Sequence, residues 1–239
     1  MEASFINAGG YKFADQTRYI ETSIDKNCHT TSIYLNEMMR MAIVTDKDSL
    51  SDVSAAITPE GLTKKIQVLH RAIKRDFRIS NPRIAVLALN PSTSGKEEES
   101  IIRPVIAEQA TKGIQVFGPY QAESFFGNRH FEAFDGILAM YHDQAMLPVR
   151  MITDSAIIKV LTDMPLVCTM PDCGTMMDVA GKNAVEPQAL YSAIYAAIDI
   201  FRFRKEYDAP MGNPLPKLYH ERPDNGEKLR FSIPKKKEE

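Results

Sequence analysis

A chain of 239 residues, 44% of them apolar, has enough hydrophobic material for one large domain or two small ones. Its 29 basic and 31 acidic side chains nearly cancel, which disfavours nucleic acid or an anionic membrane as partner and favours small-molecule chemistry or protein contact. No stretch is long and apolar enough for a membrane helix. The opening Met1-Glu2-Ala3-Ser4-Phe5 lacks a signal pattern, and Cys28, Cys168 and Cys173 form no CxxC pair. The expectation is a cytoplasmic protein whose thiols are buried as small hydrophobes.

In chain order, Thr31–Leu35 and Met41–Thr45 read as strands, the second running into Asp46-Lys47-Asp48. Thr58-Pro59-Glu60 then supplies an N-cap, a proline at the first helical position and an acid in the first turn. Leu62, Ile66, Leu69 and Ile73 follow at steps of four, three and four, one apolar stripe on a helix whose other faces carry Lys64, Lys65, Arg71 and Lys74. His70 falls among the polar positions and reads as surface.

Arg83–Leu89 is apolar throughout after its arginine, as a strand covered on both faces would be. After Asn90-Pro91, Glu97-Glu98-Glu99 opens a helical region towards Lys112-Gly113, with Pro104 kinking it or resetting its first turn. Short strands are expected at 114–117, 136–140, 157–161 and 166–169. Glu186-Pro187 starts a long helix with Leu190, Ala193, Ile194, Ala197, Ile198 and Phe201 on its inner side. Beyond Tyr207, four residues of proline and glycine (Pro210, Gly212, Pro214, Pro216) argue against regular structure. Tyr219, Leu229, Phe231 and Ile233 give this tail apolar anchors. The alternation predicts an α/β fold, a largely parallel sheet with helices on both faces, as one domain over 1–207 followed by a basic-ended tail, 208–239.

The most informative segment is Gly136–Gln144, an apolar strand that ends in Tyr141-His142-Asp143-Gln144. Ligands in open α/β sheets sit outside the carboxyl ends of the strands, so this end marks a candidate site. A histidine satisfied in a polar loop would give the same segment, and the residues alone leave both readings open. Neighbouring methionines (Met38, Met39 and Met41; Met176 and Met177) read as core filler.

Taken in order, Leu89-Asn90-Pro91, Phe117-Gly118-Pro119 before Phe125-Phe126, Tyr141-His142-Asp143-Gln144, and Gly174-Thr175 ahead of Asp178-Val179-Ala180-Gly181-Lys182 resemble the PdxA family, from about Ile6 to Phe203. That family comprises the 4-hydroxythreonine-4-phosphate dehydrogenases of pyridoxal phosphate (vitamin B6) synthesis. The resemblance implies a fold similar to the second domain of isocitrate and isopropylmalate dehydrogenases, a homodimer, and a site in an interdomain cleft completed by the second subunit. It implies NAD-dependent oxidation and decarboxylation of a small phosphorylated substrate, with a divalent metal polarising the reacting oxygen.

Motif by motif, the family's three metal histidines fall on Lys47, Ser92 and His142. Its substrate contacts fall on Gln16, Thr17, Arg150, Lys159 and Cys168. The resemblance thus assigns Lys47, His142 and Asp143 to catalysis, Gln16, Thr17, Arg150 and Lys159 to substrate, and His142 to metal. Lysine carries a positive charge and no acceptor, and serine is a poor neutral ligand, so metal binding and activity are expected to be impaired. Lys47 in place of the ion is one version of a working enzyme. The glycine-rich loop after Asn90-Pro91 is shortened to Ser92-Thr93-Ser94-Gly95, Ala145 replaces a glycine, and Cys173 replaces a histidine. Family members also carry a segment before the point where this chain begins, and no GxGxxG loop for a dinucleotide is found. The alternatives are a non-catalytic dimeric domain with a phosphate pocket around Thr17 and Arg150, or an inactive truncated copy.

Overall fold

The computed structural model describes residues 16–25, 30–45, 49–174 and 179–213. Strands β1 (Thr31–Leu35), β2 (Arg40–Ile43), β3 (Ile84–Leu87), β4 (Val116–Tyr120), β5 (Gly136–Ala139), β6 (Ile158–Thr162) and β7 (Cys168–Pro171) form one sheet in the order β4-β3-β5-β2-β1-β6-β7. The pairs β4·β3, β3·β5 and β5·β2 are parallel. Pairing is antiparallel for β2·β1, β1·β6 and β6·β7. Strands β2 to β6 therefore all run one way and only β1 and β7 oppose them, which gives the expected largely parallel sheet.

Helices α1 (Gln16–Ile24), α2 (Leu50–Ala56), α3 (Pro59–Asp76), α4 (Arg103–Thr111), α5 (Ala122–Gly127), α6 (His142–Met151) and α7 (Gln188–Gly212) surround it. Alternation along the strands divides the core between two faces. On β5, Leu138 joins Leu62, Ile66, Leu69 and Ile73 of α3 and Val105 and Ile106 of α4. Its neighbours Ile137 and Ala139 join Phe125 of α5 and Ala145 and Val149 of α6 on the other side. All four stripe residues of α3 are fully buried, each contributing about 1.5–3 kcal/mol relative to exposure. Gly136 opens β5 because a Cβ there would overlap Ile73 Cδ1, so the glycine lets α3 lie close to the strand.

Helix α3 starts as expected: Thr58 Oγ1 accepts the Gly61 N–H at 3.1 Å and Pro59 takes the first position. Pro104 resets rather than kinks its helix, since residues Glu98–Ile102 form a π turn before α4 begins at Arg103. Helix α6 has no counterpart in the sequence reading, because Pro148 lies inside it and only ten residues carry the pattern.

Helix α7 corrects two expectations. It continues past Tyr207 through Pro210 to Gly212, where ion pairs from Arg75 to Asp208 and from Arg78 to Glu206 hold its last turns against α3. Its buried side consists of Ala193, Ile200 and Arg204, whereas Leu190, Ile194, Ile198 and Phe201 are exposed. The rotation follows from Arg204, which turns inward to meet the buried Asp76 carboxylate at 2.7 and 2.9 Å and donates to the Leu166 carbonyl at 2.9 Å. An apolar pattern on both sides of the helix could not reveal that choice. The tail's anchors, from Tyr219 to Ile233, lie outside the described residues.

Candidate functional site

The carboxyl ends of β2 and β5 meet at one edge of the sheet. Thr45 Oγ1 donates to the Met140 carbonyl at 2.8 Å, and the Val44 N–H to the Ala139 carbonyl at 2.9 Å, so the strands stay paired to their ends. Helix α6 starts at once, with Tyr141 as extended N-cap and His142 as first residue. Gln144, nearly buried, closes the joint: its Oε1 accepts the Met140 N–H and its Nε2 donates to the Ala88 carbonyl at the end of β3, both at 2.7 Å. A glutamine three residues after an N-cap commonly reaches back to the chain before the helix. That signal was available in the sequence, where Gln144 was read only as part of a motif.

With α6 fixed, His142 and Asp143 project from its first turn, and their side chains pair at 2.9 Å between Nδ1 and Oδ1. Both are well exposed and line an open cleft of about 850 Å³. Tyr34 and Ser32 of β1, Val44 and Thr45 at the end of β2, Thr17 and Glu21 of α1, and Lys159 of β6 share its wall. Lys159 Nζ donates to Thr17 Oγ1 at 2.9 Å and lies 5.6 Å from the centroid of the Tyr34 ring. No acid neutralises that ammonium among the described residues. Neutral partners and a π face leave its charge available to an anion.

The cleft's acids are already engaged. Burial alone would raise the Glu21 carboxyl, but the Thr30 N–H at 2.7 Å, the Thr30 hydroxyl and the Arg18 guanidinium outweigh it and hold the group below the ordinary carboxylate range. Glu21 thereby spends its charge on Arg18 and on tying α1 to the start of β1. Asp143 shares a hydrogen bond with His142.

The remaining expected site residues are placed as follows. Gln16 opens α1 but is not part of the cleft wall, and Lys47 lies outside the described residues. Arg150 sits in the last turn of α6, is not part of the cleft wall that Thr17 lines, and pairs with Asp172 at 2.6 Å. Ser92 is exposed on the loop after β3, where its hydroxyl accepts from Ser94 at 3.4 Å. That short loop is pinned by the fully buried Glu98. Burial would raise its carboxyl, but the Asn90 N–H and Nδ2 at 2.7 and 2.8 Å lower it below the usual range. Gly95 is required there, because a Cβ would overlap both Asn90 and Glu98.

Two minor expectations are also corrected. Cys173 is exposed, not buried, because it follows the last strand residues into a surface segment. Burial pushes the Cys168 thiol up despite nearby Lys159, so it stays protonated. His70 is half-buried rather than surface, its imidazole pushed down by burial and then by Lys74.

The donor set of this chain does not fit a divalent ion. Among the described residues no three of His, Cys, Asp and Glu converge, and the positions that the resemblance assigns to metal carry one imidazole, one serine hydroxyl and one lysine.

A mostly parallel sheet with a cleft at the strand ends, lined by a histidine–aspartate pair and a lysine, places the chain among open α/β proteins, whose ligands sit outside the carboxyl ends of the strands. A sequence model described as "Pyridoxal phosphate biosynthetic protein PdxA" matches residues 1–197, and the chain belongs to that family. It is 38% identical over 231 residues to a 4-hydroxythreonine-4-phosphate dehydrogenase of Bacteroides thetaiotaomicron, an alignment covering 95% of this chain and 64% of that protein. A protein of the same name from Burkholderia vietnamiensis is 32% identical over 216 residues, covering 86% and 65%. The crystal structure of 4-hydroxythreonine-4-phosphate dehydrogenase from Klebsiella pneumoniae shares the fold, with a TM-score of 0.71 at 24% identity over 83% of this chain and 61% of that one. The chain thus spans less than two thirds of the length of these relatives.

Proposed function

We propose that this chain acts on 4-hydroxythreonine 4-phosphate, or a close phosphorylated hydroxy acid, in an NAD-linked oxidation followed by loss of carbon dioxide. The observation that carries the reading is the Lys159–Thr17 pair, a cation and a hydroxyl 2.9 Å apart in the same cleft as His142–Asp143. An ammonium with three donors and a hydroxyl suit a phosphate group, which supplies only acceptors. Binding there holds the rest of the substrate within the cleft, which converts a chance encounter into a positioned one.

Asp143 accepts from His142 Nδ1 when that nitrogen carries the proton, which leaves Nε2 with a lone pair. In that tautomer His142 takes the hydroxyl proton as the alcohol becomes a ketone. A nicotinamide dinucleotide, when bound beside the carbinol carbon, would supply the hydride acceptor that this oxidation needs. The resulting β-keto acid loses carbon dioxide, and protonated His142 returns the proton to the enolate carbon. No step is routed through a metal, because the donor set does not fit one. Arg150, Gln16, Ser92 and Lys47 enter the proposal only through the family's motifs.

The exposed stripe of Leu190, Ile194, Ile198 and Phe201 on α7 supports a homodimer, since a soluble chain rarely leaves so much contiguous apolar surface uncovered. The test is calorimetric titration of 4-hydroxythreonine 4-phosphate together with a turnover assay in NAD. The wild type should bind and reduce NAD, and Lys159→Met should bind at least tenfold more weakly. Binding without NAD reduction would identify a phosphate-binding domain instead. Equal binding by the two proteins would end the proposal.

A further inference from the structure

Two elements hold the Thr17–Lys159 pair, and they are fixed in different ways. Lys159 belongs to the sheet, where β6 pairs with β1 and Lys159 stands opposite Tyr34. Thr17 belongs to α1, a helix of nine residues in which Glu21 alone is buried, while Ile20 and Ile24 are half-buried and Tyr19 is exposed. A helix with so narrow a buried side draws little of its placement from an apolar face, the usual source of helix stability. The 2.9 Å separation of Thr17 from Lys159 therefore depends on the polar ties between α1 and the sheet.

Glu21 supplies such a tie. Thr17 and Glu21 stand one helical turn apart on one face of α1, and both line the cleft. Glu21 Oε1 accepts the Thr30 N–H at 2.7 Å and the Thr30 hydroxyl at 2.9 Å, while Oε2 accepts from Arg18 at 3.2 Å. Thr30 immediately precedes β1, whose first residue, Thr31, is buried and accepts from Thr162 Oγ1 at 2.9 Å through its carbonyl. The far side of the tie is thus a fixed point of the sheet. Burying a carboxylate costs free energy that an apolar residue would not, and the cost is offset by charge-assisted bonds while those donors stay in place. Such bonds also fix a direction, which apolar burial does not.

We infer that Glu21 is a positioning residue for the anion site: through Thr30 it sets the Thr17 hydroxyl against the Lys159 ammonium, so that one phosphate group meets both. The inference rests on the reading of the Thr17–Lys159 pair as a phosphate site. Glu21 itself makes no contact with the ligand and acts only through the placement of α1. Its loss therefore reaches the phosphate by way of Thr17 and leaves Lys159 where the sheet holds it.

The test is calorimetric titration of the full chain with inorganic phosphate, with the folding of each variant checked by chemical denaturation. Glu21→Ala should bind phosphate about tenfold more weakly than wild type. Glu21→Gln should recover most of that loss, because an amide oxygen can accept from Thr30 in place of Oε1. Thr17→Val should weaken binding about as much as Glu21→Ala, and the double variant Thr17→Val/Glu21→Ala should be no weaker than the weaker single variant, since both act on one contact. Where Glu21→Ala does not fold, Thr30→Val replaces it in the cycle, because it removes the hydroxyl bond and keeps the N–H bond. Additive losses in the double variant, a Gln variant as weak as the Ala variant, or wild-type affinity in folded Glu21→Ala would overturn the inference while Lys159→Met still weakens binding. Wild-type affinity in Lys159→Met would instead remove the phosphate site itself, and the inference with it.

Discussion

The two ends of α3 carry the same sign of charge and put it to opposite uses. At the carboxyl end Arg71 pairs with Asp163, Arg75 with Asp208 and Arg78 with Glu206, while Asp76 receives Arg204 from α7. At the amino end Lys64 lines the cleft and meets no acid among the described residues. Arginine's planar fork suits fixed bidentate pairing, whereas lysine offers a mobile point charge. One end of the helix is thus a clamp for the last helix among the described residues, and the other lines an open cleft.

That contrast breaks most sharply at the buried pair. Asp76→Ala leaves the Arg204 guanidinium buried without its counter-charge and should cost about 3–5 kcal/mol in chemical denaturation, whereas Lys64→Gln should change stability by about 0.5 kcal/mol or less. A smaller loss, about 1–3 kcal/mol, is expected for Gln144→Leu, which strips partners from the Met140 N–H and the Ala88 carbonyl. The same variant should weaken ligand binding, because the first turn of α6 loses its anchor.

Acid sharpens the comparison further. Glu21 and Glu98 both have folded pKa values below those of the unfolded chain, so the unfolded state binds protons first as pH falls. Their stabilisation is fully present above the ordinary carboxylate pKa and is lost as pH drops through the lowered folded values. Denaturation midpoints should therefore fall from neutral pH towards pH 3, and less steeply in Glu98→Gln. The smallest effect is predicted for Arg78→Ala, an exposed pair worth about 0–1 kcal/mol by thermal melting.

Much of this arrangement was legible in the sequence. The cap and stripe of α3, the buried run of β3 and the abrupt polar end of β5 each have a local cause, and each was read with its boundary nearly right. Helix α7 was found, but its orientation was not, because the deciding contact joins Arg204 to Asp76 across 128 residues. The pairing of β1 with β6 is likewise long-range, whereas β1·β2 and β6·β7 are antiparallel as local hairpins. In the candidate site, the run Tyr141 to Gln144 lies at the carboxyl end of β5, where its abrupt polarity places it. Family resemblance assigns Thr17 and Lys159 separately to substrate, but their contact spans 142 residues and no local signal marks it. The cleft lysines of α3 were read simply as a polar helix face, because charge in a sequence carries no sign of whether an acid lies nearby in space.

The most direct test is the shift of melting temperature on adding phosphate, because a ligand that binds only the folded chain stabilises it by mass action. Wild type and Arg78→Ala should rise together with phosphate concentration, and Lys159→Met should show a clearly smaller rise. An equal rise in Lys159→Met, or its loss in Arg78→Ala, would contradict the division of α3 and its neighbours into a structural clamp and an anion-binding cleft.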